Sequence, residues 1–139
     1  MDVHVNFLAV LLAMASSMVV GSIWYARSVF GNTWIKLANI DMKKDRGSVA
    51  KPIAVTMVVS LITAYVLAHV AYLSHQFFHH SFLRDALMSA FWMWLGFTAA
   101  RFVTHDVFEG RPIKLTALNI GNEFVTLMLM GLVIGLIGA

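Results

Sequence analysis

Cysteine is absent from the 139 residues, proline occurs twice, and only 12% of the chain is charged. The first absence excludes disulfides, thiolate metal sites and cysteine nucleophiles, and leaves the compartment open. The second leaves long stretches free of the residue that breaks helices. The third restricts most, because ordinary soluble domains carry about 25% charged residues. Here 60% of the residues are apolar, and the mean hydropathy is +0.79. A domain of this size has too little interior to hide that surface from water, so its solvent is lipid. Ten Lys and Arg stand against seven Asp and Glu, an excess whose placement points to a membrane surface rather than nucleic acid. No phosphate-binding glycine loop, HExxH zinc motif or serine elbow occurs, so neither an enzyme nor a cofactor is expected.

What is present is apolar length. Val5 to Ala26 and Pro52 to Leu83 contain no Asp, Glu, Lys or Arg. Phe82 to Thr104 has an uncharged centre from Ala86 to Ala100, and Pro112 to Ala139 holds one acid, Glu123. Each run covers the ~20 residues a helix needs to cross a bilayer. Lipid leaves open backbone groups unsatisfied, and no alternating barrel pattern appears. The sequence therefore predicts an all-α integral membrane four-helix bundle, one domain over 1–139. Its helices fall at about 5–26, 52–74, 82–104 and 112–138, with connecting segments at 27–51 and 105–111. Ala13-Met14-Ala15 imitates a signal-peptide cleavage site, but the apolar run continues beyond it and no basic stretch precedes it. Pro52 and Pro112 fall at helix starts, where no amide donor is needed. Ser81 is placed to cap the third helix, with Asp85 at its positive end.

Nine basic residues fall at one end of this bundle: Arg27, Lys36, Lys43, Lys44, Arg46, Lys51, Arg101, Arg111 and Lys114. Only Arg84 falls at the other. The positive-inside rule puts the basic connections in the cytoplasm and both termini outside, in a cell inner membrane. Trp24, Tyr25 and Arg27, with Trp34 beyond, then read as anchors at the inner leaflet. Val29 to Ile40 reads as a short amphipathic helix along that surface.

Glu123 lies nine residues past Lys114, roughly 13 Å deeper at 1.5 Å per residue. A carboxylate at that depth must be paired, protonated or hydrated. Thr116, Asn119, Glu123 and Thr126 share one helical face. Thr56, Ser60 and Thr63 share a face of the second helix, and Thr98, Arg101 and His105 a face of the third. Ser17, Gly21 and Ser22 come from the first. Two readings stand open. In one, Arg101, Asn119 and Glu123, with Thr56, Ser60 and Thr98 nearby, form an intramembrane site for an ion or small solute. In the other, Arg101, Asn119 and Glu123 satisfy one another and fix helix register. Gly131 and Gly135 lie on a separate face suited to close packing with another helix, at the contacts of a homo-oligomer.

The histidines form two groups. His75, His79 and His80 lie near the outer end, and the i, i+4 pair His75/His79 has the spacing of a helical metal site. No carboxylate belongs to that cluster except Asp85 further on, and hydrated interfacial histidines are the plainer reading, so no metal site is assigned. His105, Asp106 and Glu109 form the inner group, read as headgroup and loop contacts. Phe91-Trp92-Met93-Trp94 reads as lipid-facing and packing aromatics.

Two segments carry a resemblance. Gly21-Ser22-Ile23-Trp24-Tyr25, with Phe30-Gly31 and Trp34, is similar to the WYSP-x-x-FGK-x-W signature of a bacterial membrane-protein family, domain of unknown function 1761. Glu109-Gly110-Arg111-Pro112-Ile113-Lys114-Leu115, followed by Asn119 and Gly121, resembles that family's EGRP-x-x-L segment and its Asn-x-Gly. Ala26-Arg27 stand where the family has Ser-Pro, which predicts a less abrupt end to the first helix. Asn32 stands where Lys is common. The resemblance implies a polytopic inner-membrane protein and supplies no activity. The expected function is a small membrane protein, an oligomeric transporter or channel-like protein around the polar site. The alternative is a structural or accessory subunit that binds anionic lipid or a partner through its basic loops.

Overall fold

The structure, a computed structural model, describes residues 3–41 and 48–138. Lys43, Lys44 and Arg46 lie outside the described residues. Among the described residues all regular structure is helical. The first span is α1 (Phe7–Trp24), capped by Asn6, whose side chain accepts from the amides of Leu8 and Ala9. A π-helical turn at Arg27–Gly31 leads into the short α2 (Asn32–Leu37). The second span is α3 (Ala50–Phe78). The third is composite: α4 (Phe82–Met93), a π-helical segment (Trp94–Ala99) and α5 (Ala100–Phe108) run on as one rod. The fourth is α6 (Ile113–Ile137). All four rods are long and apolar enough to cross a bilayer, and the chain is a multi-pass membrane protein built as an all-α bundle.

Local chemistry sets the ends. Pro52 sits in the first turn of α3, and Pro112 precedes the first residue of α6. Ser81 accepts from the Arg84 amide at 3.4 Å, as a cap should. The third span runs four residues beyond the expected 104, so the connection to α6 shortens to 109–112. It ends in a Schellman turn. Gly110 takes φ +66°, its amide bonds Val107, and the Arg111 amide bonds the Asp106 carbonyl at 2.9 Å. Gly110 has open space around it, so it is needed for its backbone angle, worth about 1 kcal/mol. Glu-Gly-Arg-Pro thus spells a helix stop and the next helix's start. At the other signature, Ala26 is extended (φ −62°, ψ 142°). The chain leaves α1 as sharply as a proline would require, and the softer exit expected from Ala26-Arg27 does not occur.

Packing is uneven along the membrane normal. The buried apolar cluster takes Ala9, Val10 and Ala13 from α1, Ala64, Leu67, Ala68 and Ala71 from α3, Ala86 and Ala90 from α4, and Leu127, Met130 and Ile134 from α6. All lie between mid-span and the end away from the basic residues. Seven of these twelve are alanine, because lipid offers no hydrophobic drive and helices gain by approaching closely. Gly131 and Gly135 belong to the same contact: a Cβ on Gly131 would stand 2.9 Å from the Ala90 Cβ, and one on Gly135 2.8 Å from the Leu83 Cα. The glycine face expected at an oligomer contact is therefore covered by α4 of the same chain.

Toward the basic end the bundle opens. From Ala50 to Thr63 no residue of α3 is buried, and Ala64 is the first that is. This half of α3 stands off from α6.

Candidate functional site

The opening is a cleft of about 460 Å³ walled by α1, α3 and α6. Its mouth is at Tyr25 and Pro52, and its depth is marked by Ser17, Thr63 and Met130. Pro52 to Thr63 is eleven residues, so the floor lies roughly 16 Å below the mouth. Glu123 projects into it from α6 together with Thr126, facing Thr56, Ser60 and Thr63 of α3 and Ser17 and Ser22 of α1. Small and hydroxyl side chains on α1 and α3 leave the room that a larger apolar pair would close.

The Glu123 carboxylate makes no hydrogen bond or ion pair with any other described residue. Four of the lining hydroxyls turn their protons back along their own helices. Ser17 donates to Met14 and Ser22 to Met18, both at 2.7 Å, while Thr56 donates to Pro52 at 2.9 Å and Thr63 to Val59 at 3.0 Å. Their lone pairs remain for the cleft. No Lys, Arg or His is among the lining residues. Asn122 also lines the cleft, and its buried side-chain nitrogen has no partner.

Tyr25 closes the mouth, its hydroxyl donating to the Asn119 side-chain oxygen at 3.4 Å. Burial, and secondarily the Glu123 carboxylate, push its phenol up to about 12, so it remains a neutral donor. The Tyr25 ring meets Trp34 edge-on at 5.3 Å, and Trp24 packs on Phe30 at 4.7 Å. Trp24 also lies where a Cβ on Gly121 would be 3.4 Å away. The aromatic pair read as lipid anchors is thus seated on Asn119 and Gly121 of α6. The residues of the two signature segments meet in one joint above the cleft.

The other expected site residues separate. Arg101, Thr98 and His105 line a different cleft of about 420 Å³ with Phe97, Phe102, Asp106, Glu109 and Arg111. Arg101 forms no ion pair among the described residues, and the expected Arg101–Asn119–Glu123 grouping is not formed. Arg101 follows the π segment at Trp94–Ala99, whose i→i+5 winding alters the phase of every later residue relative to an unbroken α-helix. Thr116 leaves the stripe as well, donating to the buried Asp106 carboxylate at 2.6 Å. Asp106 also faces Arg111 at 3.7 Å, and Arg111 donates to Glu109 at 2.6 Å. Asp106 therefore serves the turn.

At the opposite end Asp85 is buried at 2% exposure, with the Nδ1 atoms of His75 and His80 at 3.3 and 3.2 Å. Ten residues and a turn separate Asp85 from His75, which is why the i, i+4 spacing pointed to His79 instead. His79 takes φ 56° to end α3 and has no bond to Asp85. No three His, Cys, Asp or Glu among the described residues are grouped to hold a metal ion. Trp94 of the aromatic run donates its indole proton to the Ile120 carbonyl at 3.0 Å, whereas Trp92 is exposed. Tyr25, Asn122, Thr126 and Ser17 were not among the residues assigned to the site from sequence. Ser17 and Thr126 showed only as members of polar faces on α1 and α6, and spacing marks such a face without showing what it faces.

No curated protein and no solved structure matches the chain. The family described as protein of unknown function (DUF1761) matches residues 8–135. That span takes in nearly the whole of all four rods, both signature segments and the joint they form, and the chain belongs to this family.

Proposed function

We propose that this protein is a membrane carrier whose solute site is the cleft around Glu123. The observation that carries the reading is an unpartnered carboxylate in the membrane-spanning part of α6, inside a cleft whose volume suits a small molecule. A structural carboxylate would be tied to a neighbour, because leaving one bare in lipid costs several kcal/mol (about 2.5–3.5 for an acid at mid-span by insertion scales). The cleft opens at the end bearing Arg27, Lys36, Lys51, Arg111 and Lys114, which supports a cytoplasmic mouth in a bacterial inner membrane.

The absence of cysteine makes the test direct. Ser60→Cys and Thr63→Cys each introduce a unique thiol in the cleft, and Val58→Cys a unique thiol on the exposed apolar side of the same helix. A charged thiol reagent applied from the basic side is expected to label the first two at least about tenfold faster, because only a hydrated cleft ionises and admits them. Glu123→Gln is expected to leave the melting temperature unchanged. Equal, slow labelling at all three positions, or a marked loss of stability in Glu123→Gln, would refute the carrier reading.

One observation favours the accessory reading. Lys36 and Lys114 line a second cleft, of about 590 Å³, with Thr33, Trp24, Phe30 and Leu118 and no acid. Anionic lipid held there would be released as ionic strength rises past ~0.15 M, where charges are screened beyond about 8 Å. Vesicle-bound lipid retained through purification, compared at low and high salt, measures it.

A further inference from the structure

We propose that the Glu123 cleft takes a lipophilic organic cation, admitted sideways from the bilayer past the unburied half of α3. The inference rests on the carrier reading and names the class of ligand. Four observations converge on it.

Charge is the first. Glu123 and Tyr25 are the only titratable groups lining the cleft, Tyr25 is a neutral phenol, and α3 adds no titratable side chain to the lining, so Glu123 is the only group there able to carry charge near neutrality. An anion would meet a carboxylate with no Lys, Arg or His to offset it. A neutral solute would leave the carboxylate as costly as before. A cation removes that cost, and the low dielectric strengthens its attraction.

Polarity is the second. The hydroxyls of Ser17, Ser22, Thr56 and Thr63 present lone pairs, having committed their protons to backbone carbonyls. Such oxygens solvate a positive group and offer nothing to a phosphate or carboxylate. Asn122 lines the cleft as well, and its side-chain nitrogen, buried from solvent, is the one unpartnered amide donor there.

Size is the third. A calcium ion needs about six to eight oxygens drawn into a tight shell, whereas the single carboxylate and the hydroxyls here are spread along a space of about 460 Å³. Met18, Val59, Leu127 and Met130 supply apolar wall for the rest of an organic ligand.

Access is the fourth. No residue of α3 from Ala50 to Thr63 is buried, so this half of the helix leaves the cleft a lateral opening toward lipid beside its mouth. An amphiphile dissolved in the bilayer reaches Glu123 without passing through water. Protons compete for the same carboxylate, so cation affinity falls as pH falls and Glu123 becomes neutral.

The test uses the full chain in lipid nanodiscs with tetraphenylphosphonium as probe and tetraphenylborate as its near-isosteric anion. Saturable binding of the phosphonium is expected, weakened roughly thirtyfold or more by Glu123→Gln, as when one partner of a buried charge pair is removed. Glu123→Asp should retain most of the binding, which guards against a misfolded Gln variant. Tetraphenylborate should show only the non-saturable partitioning seen in empty discs. Acidification should weaken phosphonium binding to the parent and leave the residual binding of Glu123→Gln unchanged. Equal binding of the two ions, or a Gln variant that binds as the parent does, overturns the cation assignment. If the thiol at Thr63 is labelled while the phosphonium fails to bind, the cation assignment falls and the carrier reading stands. If neither occurs, both fall.

Discussion

Gly135→Ala is expected to lower the yield of monodisperse protein sharply and to lower its melting temperature, although Ala is the better helix former. In an open position a helical Gly→Ala change stabilises by about 0.5–1 kcal/mol. At Gly135 the added methyl would stand 2.7 Å from the Leu83 Cδ1 and 2.8 Å from its Cα. The side chain can turn aside, but the Cα moves only with α4. Overpacking of this kind costs about 1–3 kcal/mol, and it falls on the contact that holds α6 to α4. Gly131→Ala should follow, since its methyl would meet Ala90 at 2.9 Å and the Ala86 carbonyl oxygen at 3.1 Å. Gly21→Ala is the control, with nothing within 4 Å. Size-exclusion profiles and thermal melts of the three variants in one detergent check the sign. A Gly135→Ala protein as stable as Gly21→Ala would show that α4 and α6 do not pack as described.

Gly31→Ala is expected to be at least as damaging, for a different reason. Gly31 has an ordinary backbone angle (φ −57°) and no room. A Cβ there would fall on the Tyr25 carbonyl oxygen and within 2.9 Å of the Ala26 carbonyl, and its amide bonds the Ala26 oxygen at 2.9 Å. Every neighbour is main chain, so relief requires moving the exit of α1. That exit carries Trp24 onto Gly121 and Tyr25 onto Asn119. A loss of about 3 kcal/mol is expected, at the upper end for overpacking, with a change in tryptophan emission as Trp24 leaves its seat. Gly110→Ala should cost only about 1 kcal/mol, because its constraint is φ alone. Melting curves that rank Gly110→Ala below Gly31→Ala would contradict this account.

How much could be read in advance differs between features, and the reasons are physical. Ser81, Pro52 and Pro112 mark helix starts through their own backbone chemistry, so one residue suffices. The four rods follow from run length against bilayer thickness. Arg101 could not be placed in the same way. Its face depends on whether Trp94–Ala99 winds as α or π, and that winding is tied to packing, with Trp94 bonded to Ile120 on α6 and meeting Phe124 edge-on at 4.8 Å. Asp85 was visible as the one carboxylate near the outer histidines, but not which of them it pairs with, because His75 and His80 reach it across a turn. Gly131 and Gly135 announce a close helix contact without naming the helix, and the nearer partner proved to be α4 of the same chain.

By itself the sequence determined that the chain spans the membrane as four apolar helices and that one end is basic, while their ends shifted by up to four residues. These depend on transfer to lipid and on local capping, which act residue by residue. Only the tertiary structure decided that the alanine-rich half closes while the half with Ser60, Thr63 and Glu123 stays open. It also joined the two signature segments through Tyr25–Asn119 and Trp24–Gly121. Helix rotation and separation are set by the summed fit of side chains from several rods, and no single rod carries that information.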